Sequence, residues 1–193
     1  MSWHPVDAYG ELAADISQVL ISADEVQARV LELGRAISQD YAGRNPLLVG
    51  ALKGVVLFMA DLMRAITIPV EFDFLAVSSY TAALRDQGVV RLVKDLEIPI
   101  TGRHVLFVED VIDTGLTLSY LLRTLQARGP ASLEVCVLFD KPGRRLVEAP
   151  LKYRGFELPD THVVGCGLDF RERYRNLPFV GLLKPEILRR RSG

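Results

Sequence analysis

Cysteine is nearly absent from this chain, with only Cys136 and Cys166 among 193 residues. Both lie inside apolar runs, so they read as reduced core residues rather than a disulfide, and two thiols alone do not make a zinc site. An excess of charge of either sign is missing too. Lys plus Arg number 23 against 24 Asp plus Glu, a formal net charge of −1. That balance argues against general affinity for nucleic acid or membrane surfaces, so any anion site must be local and built from particular loops. Long hydrophobic runs are missing, because Lys53 and Asp61 interrupt the longest candidate for a membrane span. The first residues, MSWHPVDAYGELAADI, lack the basic and apolar regions of a signal peptide. No internal repeat, low-complexity tract or interdomain linker breaks the chain. The expectation is a cytoplasmic protein with no membrane or nucleic-acid partner.

What the sequence does contain is core. Hydrophobic residues make up 49% and charged residues 24%, a globular balance. At this length residues 1–193 form one domain with a substantial interior. Residues 1–21 read as an arm with a partial strand. Ser22 and Glu25 form a capping box ahead of a helix that carries Val26, Val30, Leu33 and Ile37 on one face. The cluster Tyr41–Pro46 ends it. Leu47–Leu52 reads as a strand, Lys53-Gly54 as a tight turn, Val55–Ile66 as a buried helix and Val70–Ser78 as a strand, which together make a βαβ unit. Residues 103–139 make a second: strand 103–109, helix 115–128, a Gly129-Pro130 break and strand 132–139. Two such units imply a mainly parallel sheet with right-handed crossovers. Between them Ser79–Gly88 is polar and aperiodic, a candidate lid, and Val89–Val93 is a short strand. His162–Leu168 and Phe179–Leu183 read as strands, Asp169–Arg175 as a charged turn, and the basic tail Arg189-Arg190-Arg191 as frayed. His4 and His104 are given no catalytic role.

The chemistry concentrates in RHVLFVEDVIDTGLTLSYLL, residues 103–122. An apolar strand, Val105–Val108, is followed at once by Glu109 and Asp110, then Asp113, then Thr114-Gly115-Leu116-Thr117 and a helical leucine pattern. In an open α/β sheet ligands sit beyond the carboxyl ends of the strands. A helix beginning near Gly115 presents unpaired N–H groups and a positive dipole end to a phosphate. Gly115 permits close backbone approach, and the hydroxyls of Thr114 and Thr117 add donors. The acids just upstream suit sugar hydroxyls and a hard divalent cation. A phosphate cup beside such acids describes a site for a phosphorylated ribose.

VEDVIDTGLT resembles the phosphoribosyl-pyrophosphate (PRPP) motif of the type I phosphoribosyltransferases, in wording closest to their hypoxanthine-guanine branch. Four motif blocks in family order, spanning roughly residues 22–187, carry the likeness. It implies an α/β fold with a mainly parallel sheet flanked by helices, and a small hood from the N-terminal arm and C-terminal segments. It also implies magnesium-dependent transfer of phosphoribose from PRPP to a 6-oxopurine, hypoxanthine or guanine, giving IMP or GMP and pyrophosphate, in a homodimer or homotetramer.

By the same resemblance, Glu109 and Asp110 hold the ribose hydroxyls, and Thr114, Gly115, Leu116 and Thr117 hold the 5′-phosphate. Asp113 manages the proton on the purine N7, as general base or as hydrogen-bonding carboxylate. Lys53 and Gly54 lend a strained turn to the pyrophosphate. Ser79 and Tyr80 open the lid that closes over PRPP. Lys141 donates to the exocyclic purine oxygen, which disfavours adenine. Residue 162 stacks on the base, Val163 meets its edge through the backbone, and Asp169 holds a second divalent ion. Metal ligands are therefore Glu109, Asp110 and Asp169. Arg175 looks like the pyrophosphate arginine, with Arg171 and Arg173 as alternatives. One position departs from the pattern: His162 stands where a Phe is usual, a polar ring that titrates near neutrality.

Overall fold

The computed structural model describes residues 6–79 and 90–189. After a 3-10 turn at Val6–Tyr9, the arm forms α1 (Glu11–Ala14) and β1 (Ile16–Ile21). The capping box at Ser22 is realised: its hydroxyl accepts the Glu25 N–H at 3.3 Å, and the Glu25 carboxylate accepts the Ser22 N–H at 2.8 Å. It opens α2 (Ala23–Asp40), which buries Val26, Val30, Leu33 and Ile37 as their spacing requires. There follow β2 (Leu47–Leu52), α3 (Val55–Ala65), β3 (Glu71–Ser79) and β4 (Val90–Lys94). Next come β5 (His104–Ile112), α4 (Leu116–Gln126), β6 (Ser132–Asp140) and β7 (Leu151–Glu157). The chain closes with β8 (Val163–Val164), β9 (Val180–Leu183) and α5 (Pro185–Arg189).

Six strands form the main sheet in the order β4-β3-β2-β5-β6-β7. All neighbours are parallel except β3 and β4. Period-2 alternation sorts the side chains. Leu48, Leu106, Val108 and Cys136 face a core shared with α2 and α3. Leu47, Val49, Val105, Phe107 and Val135 face the other, where Leu118, Leu121 and Leu125 of α4 pack. Each such fully buried aliphatic stabilises the fold by about 1.5–3 kcal/mol. The expected hood is the antiparallel sheet β1-β9-β8, in which arm and C-terminal segments pair. Its own small core includes Val164, Tyr174, Leu177 and Phe179.

Two expectations need correction, and two elements were not anticipated. β5 continues three residues past 109, because Val111 and Ile112 pair with Phe139 and Asp140 of β6. Asp110 thus joins Glu109 as a strand residue at the sheet's rim. The strand expected over 162–168 shrinks to Val163–Val164. Gly165 and Gly167 take φ of 102° and 97°, and the N–H groups of Cys166 and Gly167 turn to Leu177 and Arg175 carbonyls instead of a ladder. Finally, β7 and α5 carried no strong periodic signal; β7 exists because it completes the sheet edge beside β6.

Candidate active site

From β2 the chain moves outward to β3 and then returns to the opposite side of β2 as β5. That reversal is a topological switch point, where the carboxyl ends of neighbouring strands leave a crevice. Leu52-Lys53-Gly54 sits at one lip and Glu109-Asp110 at the other. The Leu52–Lys53 peptide is cis. Gly54 lies flush against the Asp110 carboxylate on one side, and its carbonyl abuts Gly167 on the other, so neither glycine has room for a Cβ. Asp110 is only 8% exposed and accepts the Val111 N–H at 2.8 Å. Burial pushes its carboxyl up, with that N–H partly opposing. Burial pushes Glu109 well above the usual carboxylate range, and the Asp110 charge adds to it. A pair of acids held this way favours sharing a proton or taking up a cation.

Beyond β5, Gly115 adopts φ 82° as the N-cap of α4, a left-handed conformation suited to glycine. The Leu116 N–H leans on Thr114 Oγ1 at 3.4 Å. A depression of about 210 Å³ opens here, lined by Glu109 through Gly115 with Thr117 and Leu118. The acid rim and the Thr-Gly-x-Thr loop therefore share one concavity. A larger cavity of about 510 Å³ runs between α2, α3 and residues 176–178. Its acid, Asp61, is already paired with Arg64, and the rest of its wall is mainly apolar. Size does not decide; the donors do.

On the far side of this depression, β6 ends at Asp140 and Lys141 follows. Lys141 is 8% exposed and its Nζ donates to the Thr161 carbonyl at 2.7 Å. Burial lowers its pKa, against the opposing charge of Asp113. Arg144 bridges two acids, with Nε 3.1 Å from Asp113 Oδ1 and 3.2 Å from Asp160 Oδ1. His162 is exposed and meets Phe170 edge to face, ring centroids 5.3 Å apart. Val163 is buried and pairs with Leu182 in the hood sheet.

The charged turn after β8 forms a network of its own. Arg175 donates to the Gly167 carbonyl at 2.7 Å and reaches Asp169 at 2.8 Å and Glu172 at 3.2 Å, while its Nε is buried without a hydrogen-bond partner. Asp169 also accepts the Glu172 N–H at 2.8 Å. Lys53 Nζ contacts Glu172 at 3.1 Å, joining this turn to the Lys53-Gly54 lip. Arg171 stacks on Phe170 and Arg173 on Tyr174. Of the three arginines, Arg175 is thus the one tied to Gly167 and Asp169. Ser79 ends β3, and Tyr80 with the remainder of the candidate lid lies outside the described residues.

Most of the residues singled out from the sequence therefore gather at one sheet edge. Sequence reasoning passed over Arg144, Arg145, Asp160, Phe170 and Glu172, each of which contacts a site residue or its support. The run Lys141–Arg145 did read as a turn loaded with cations, but nothing in it assigned a partner to either arginine. Among the described residues no group of three or more acids, histidines or cysteines forms a metal cage.

A family model for the phosphoribosyl transferase domain matches residues 22–171. Over 179 residues the chain is 50% identical to the hypoxanthine-guanine phosphoribosyltransferase of Mycobacterium avium, covering 90% of this chain and 88% of that one. The Streptococcus agalactiae hypoxanthine-guanine phosphoribosyltransferase is 48% identical over 176 residues, 91% of this chain and 98% of its own. A crystal structure of a hypoxanthine phosphoribosyltransferase from Staphylococcus aureus superposes with a TM-score of 0.88 at 42% identity, covering 92% and 97% of the two chains. The chain belongs to the phosphoribosyltransferase family. Within it, the relatives that share half its sequence are of the hypoxanthine-guanine branch.

Proposed function

We propose that this chain serves purine salvage by transferring the 5-phosphoribosyl group of PRPP to N9 of hypoxanthine or guanine, releasing pyrophosphate and forming IMP or GMP. One observation carries the reading: an acid pair, a Thr-Gly-x-Thr cup and a buried lysine converge on the carboxyl edge of a parallel sheet at its switch point. Each part has a task. The N–H groups and hydroxyls of Thr114–Thr117 hold the 5′-phosphate, and Glu109 and Asp110 accept from the ribose hydroxyls. The Lys53-Gly54 turn and Arg175 receive the pyrophosphate, Arg175 exchanging its carboxylate partners for phosphate oxygens. Lys141 donates to the purine 6-oxo group. Asp113, released from Arg144, accepts from N7. His162 covers the base, with Phe170 behind it, and Val163 and Asp169 flank the purine edge.

The donor set suits Mg²⁺. Glu109 and Asp110 would supply hard oxygen ligands to one ion and Asp169 to a second, and Mg²⁺ characteristically takes one or two carboxylates with the rest from substrate and water. When bound, the ion neutralises charge on the departing pyrophosphate. With this reading go a cytoplasmic location and a homodimer or homotetramer. The test is direct: incubate the protein with PRPP, Mg²⁺ and each purine separately and follow nucleotide formation. IMP and GMP should appear. AMP without either would overturn the assignment of Lys141.

A further inference from the structure

We propose that Arg145, through its buried ion pair with Asp140, is a positioning residue that sets the direction of the first N–H in the phosphate loop. The inference rests on the phosphoribosyltransferase reading of Thr114–Thr117. Asp140 is the last residue of β6 and is 3% exposed. One of its carboxylate oxygens pairs with Arg145 Nη2, and the other receives Arg154 Nη1 from β7 at 3.3 Å. The Arg145 side chain is itself only 10% exposed.

Directly after Arg145 the chain turns back on the phosphate loop. The N–H groups of Leu146 and Val147 both donate to the Thr114 carbonyl, at 2.9 and 3.1 Å. The Val147 carbonyl and the Arg145 side chain crowd the point where a Gly115 Cβ would stand. The Thr114 carbonyl and the Gly115 N–H belong to one planar peptide unit. Two donors that fix the carbonyl therefore fix the direction of that N–H, the first of the α4 N-terminus. Apolar packing anchors the clamp only lightly: Leu146 is 73% exposed, no residue from Pro142 to Pro150 is buried, and Ala149 packs against the core only partly buried. The charge of Arg145, on a carboxylate that has no other fully buried partner, ties residues 145–147 to the end of β6. Arg145 turns Nη2 to Asp140, keeps its Nε buried without a hydrogen-bond partner, and is not among the residues that line the depression, so it acts on the loop as a support.

The experiment compares PRPP binding by wild type, Arg145→Met and Arg145→Lys, using calorimetry with Mg²⁺ and no purine, alongside steady-state kinetics. Arg145→Met should weaken PRPP binding and raise its KM by about 10- to 100-fold, as expected of a misaligned contact, while the KM for hypoxanthine stays within about twofold. Arg145→Lys, which keeps a cation for Asp140, should recover most of the loss. Should Arg145→Met fail to fold, the double variant Asp140→Asn/Arg145→Met removes both charges together, avoiding an unpaired buried carboxylate; it should fold and still bind PRPP weakly. A folded variant lacking the ion pair with wild-type PRPP affinity overturns the proposal. So does equal weakening toward PRPP and hypoxanthine, which would mark a general structural role. A wild-type protein that binds no PRPP would instead sink the parent reading, and this one with it.

Discussion

Replacing Gly54 with alanine would insert one methyl group between the two lips of the crevice. Gly54 has φ −56° and ψ −40°, which every residue adopts, so the change carries no backbone strain. The whole effect is steric. The new Cβ would fall on the Asp110 carboxylate, 2.9 Å from its Cγ. Asp110 has little room to move, being 8% exposed and bound to the Val111 N–H. The turn cannot retreat either, because the Gly54 carbonyl already abuts Gly167. Overpacking of this kind costs about 1–3 kcal/mol, and the less flexible unfolded chain returns about 0.4–1 kcal/mol. A net loss of roughly 0–2.6 kcal/mol corresponds, for a chain of this size at about 2–4 °C per kcal/mol, to a Tm lowered by no more than about 10 °C. Function should suffer far more. Whichever lip yields, a carboxylate assigned to the ribose or a turn assigned to the pyrophosphate is displaced, and a misplacement of about 1 Å costs on the order of 100-fold. Initial rates with PRPP varied at saturating hypoxanthine should show kcat/KM for PRPP down by that order, beside a modest calorimetric shift. Gly143→Ala is the control on the same rim, since its methyl would meet nothing within 4 Å; it should match wild type in kcat/KM and be no less stable. A Gly54→Ala protein with wild-type kcat/KM for PRPP would refute the two-lip geometry.

Asp113→Asn should lower kcat by about 100-fold or more while leaving PRPP affinity nearly unchanged; equal losses in both would mean that Asp113 serves the sugar phosphate. Lys141→Met should raise the hypoxanthine KM by on the order of 10- to 100-fold, the worth of one charged hydrogen bond, and an unchanged KM would leave Lys141 bonded only to Thr161. Asp73 gives a pH test of stability. Burial opposes its charge, but the N–H groups of Ile98, Phe74 and Glu97 outweigh that and hold its pKa below the ordinary value. Its contribution is therefore complete above pH 3.8 and is lost as pH falls through the lowered folded value. Asp73→Asn should cost about 1–3 kcal/mol at pH 7, with the gap to wild type closing in acid; a gap in urea unfolding that stays constant with pH would disprove the account.

Local rules made much of this molecule legible in advance. The Ser22–Glu25 box, the face of α2 and the exact span of β2 each follow from one periodicity and one stop signal. The hood came from resemblance rather than from any such rule. Where reasoning fell short, the deciding contact was remote in sequence. β5 lengthens because β6 offers it partners, and the strand read over residues 162–168 gives way because Leu177 and Arg175 carbonyls compete for its N–H groups. Arg144 and Arg145 are adjacent and chemically alike, yet one bridges Asp113 and Asp160 while the other faces Asp140. The 3-10 turn Pro142–Arg144 ends between them, and no spacing rule announces which acid each will meet.

These pairings also explain how a chain of net charge −1 holds a ligand as anionic as PRPP under the proposed function. Burial pushes the carboxyls of Glu109 and Asp110 up, so that lip gains from a bound cation. The cations opposite are parked on carboxylates: Lys53 on Glu172, Arg175 on Asp169 and Glu172, Arg144 on Asp113 and Asp160. Most of these pairs are well exposed, and an exposed pair contributes only about 0–1 kcal/mol. Phosphate offers these cations bonds of the same charge-assisted kind, so exchanging an exposed carboxylate for phosphate costs them little. Local exchange of partners does the work that a surplus of positive charge would otherwise have to do.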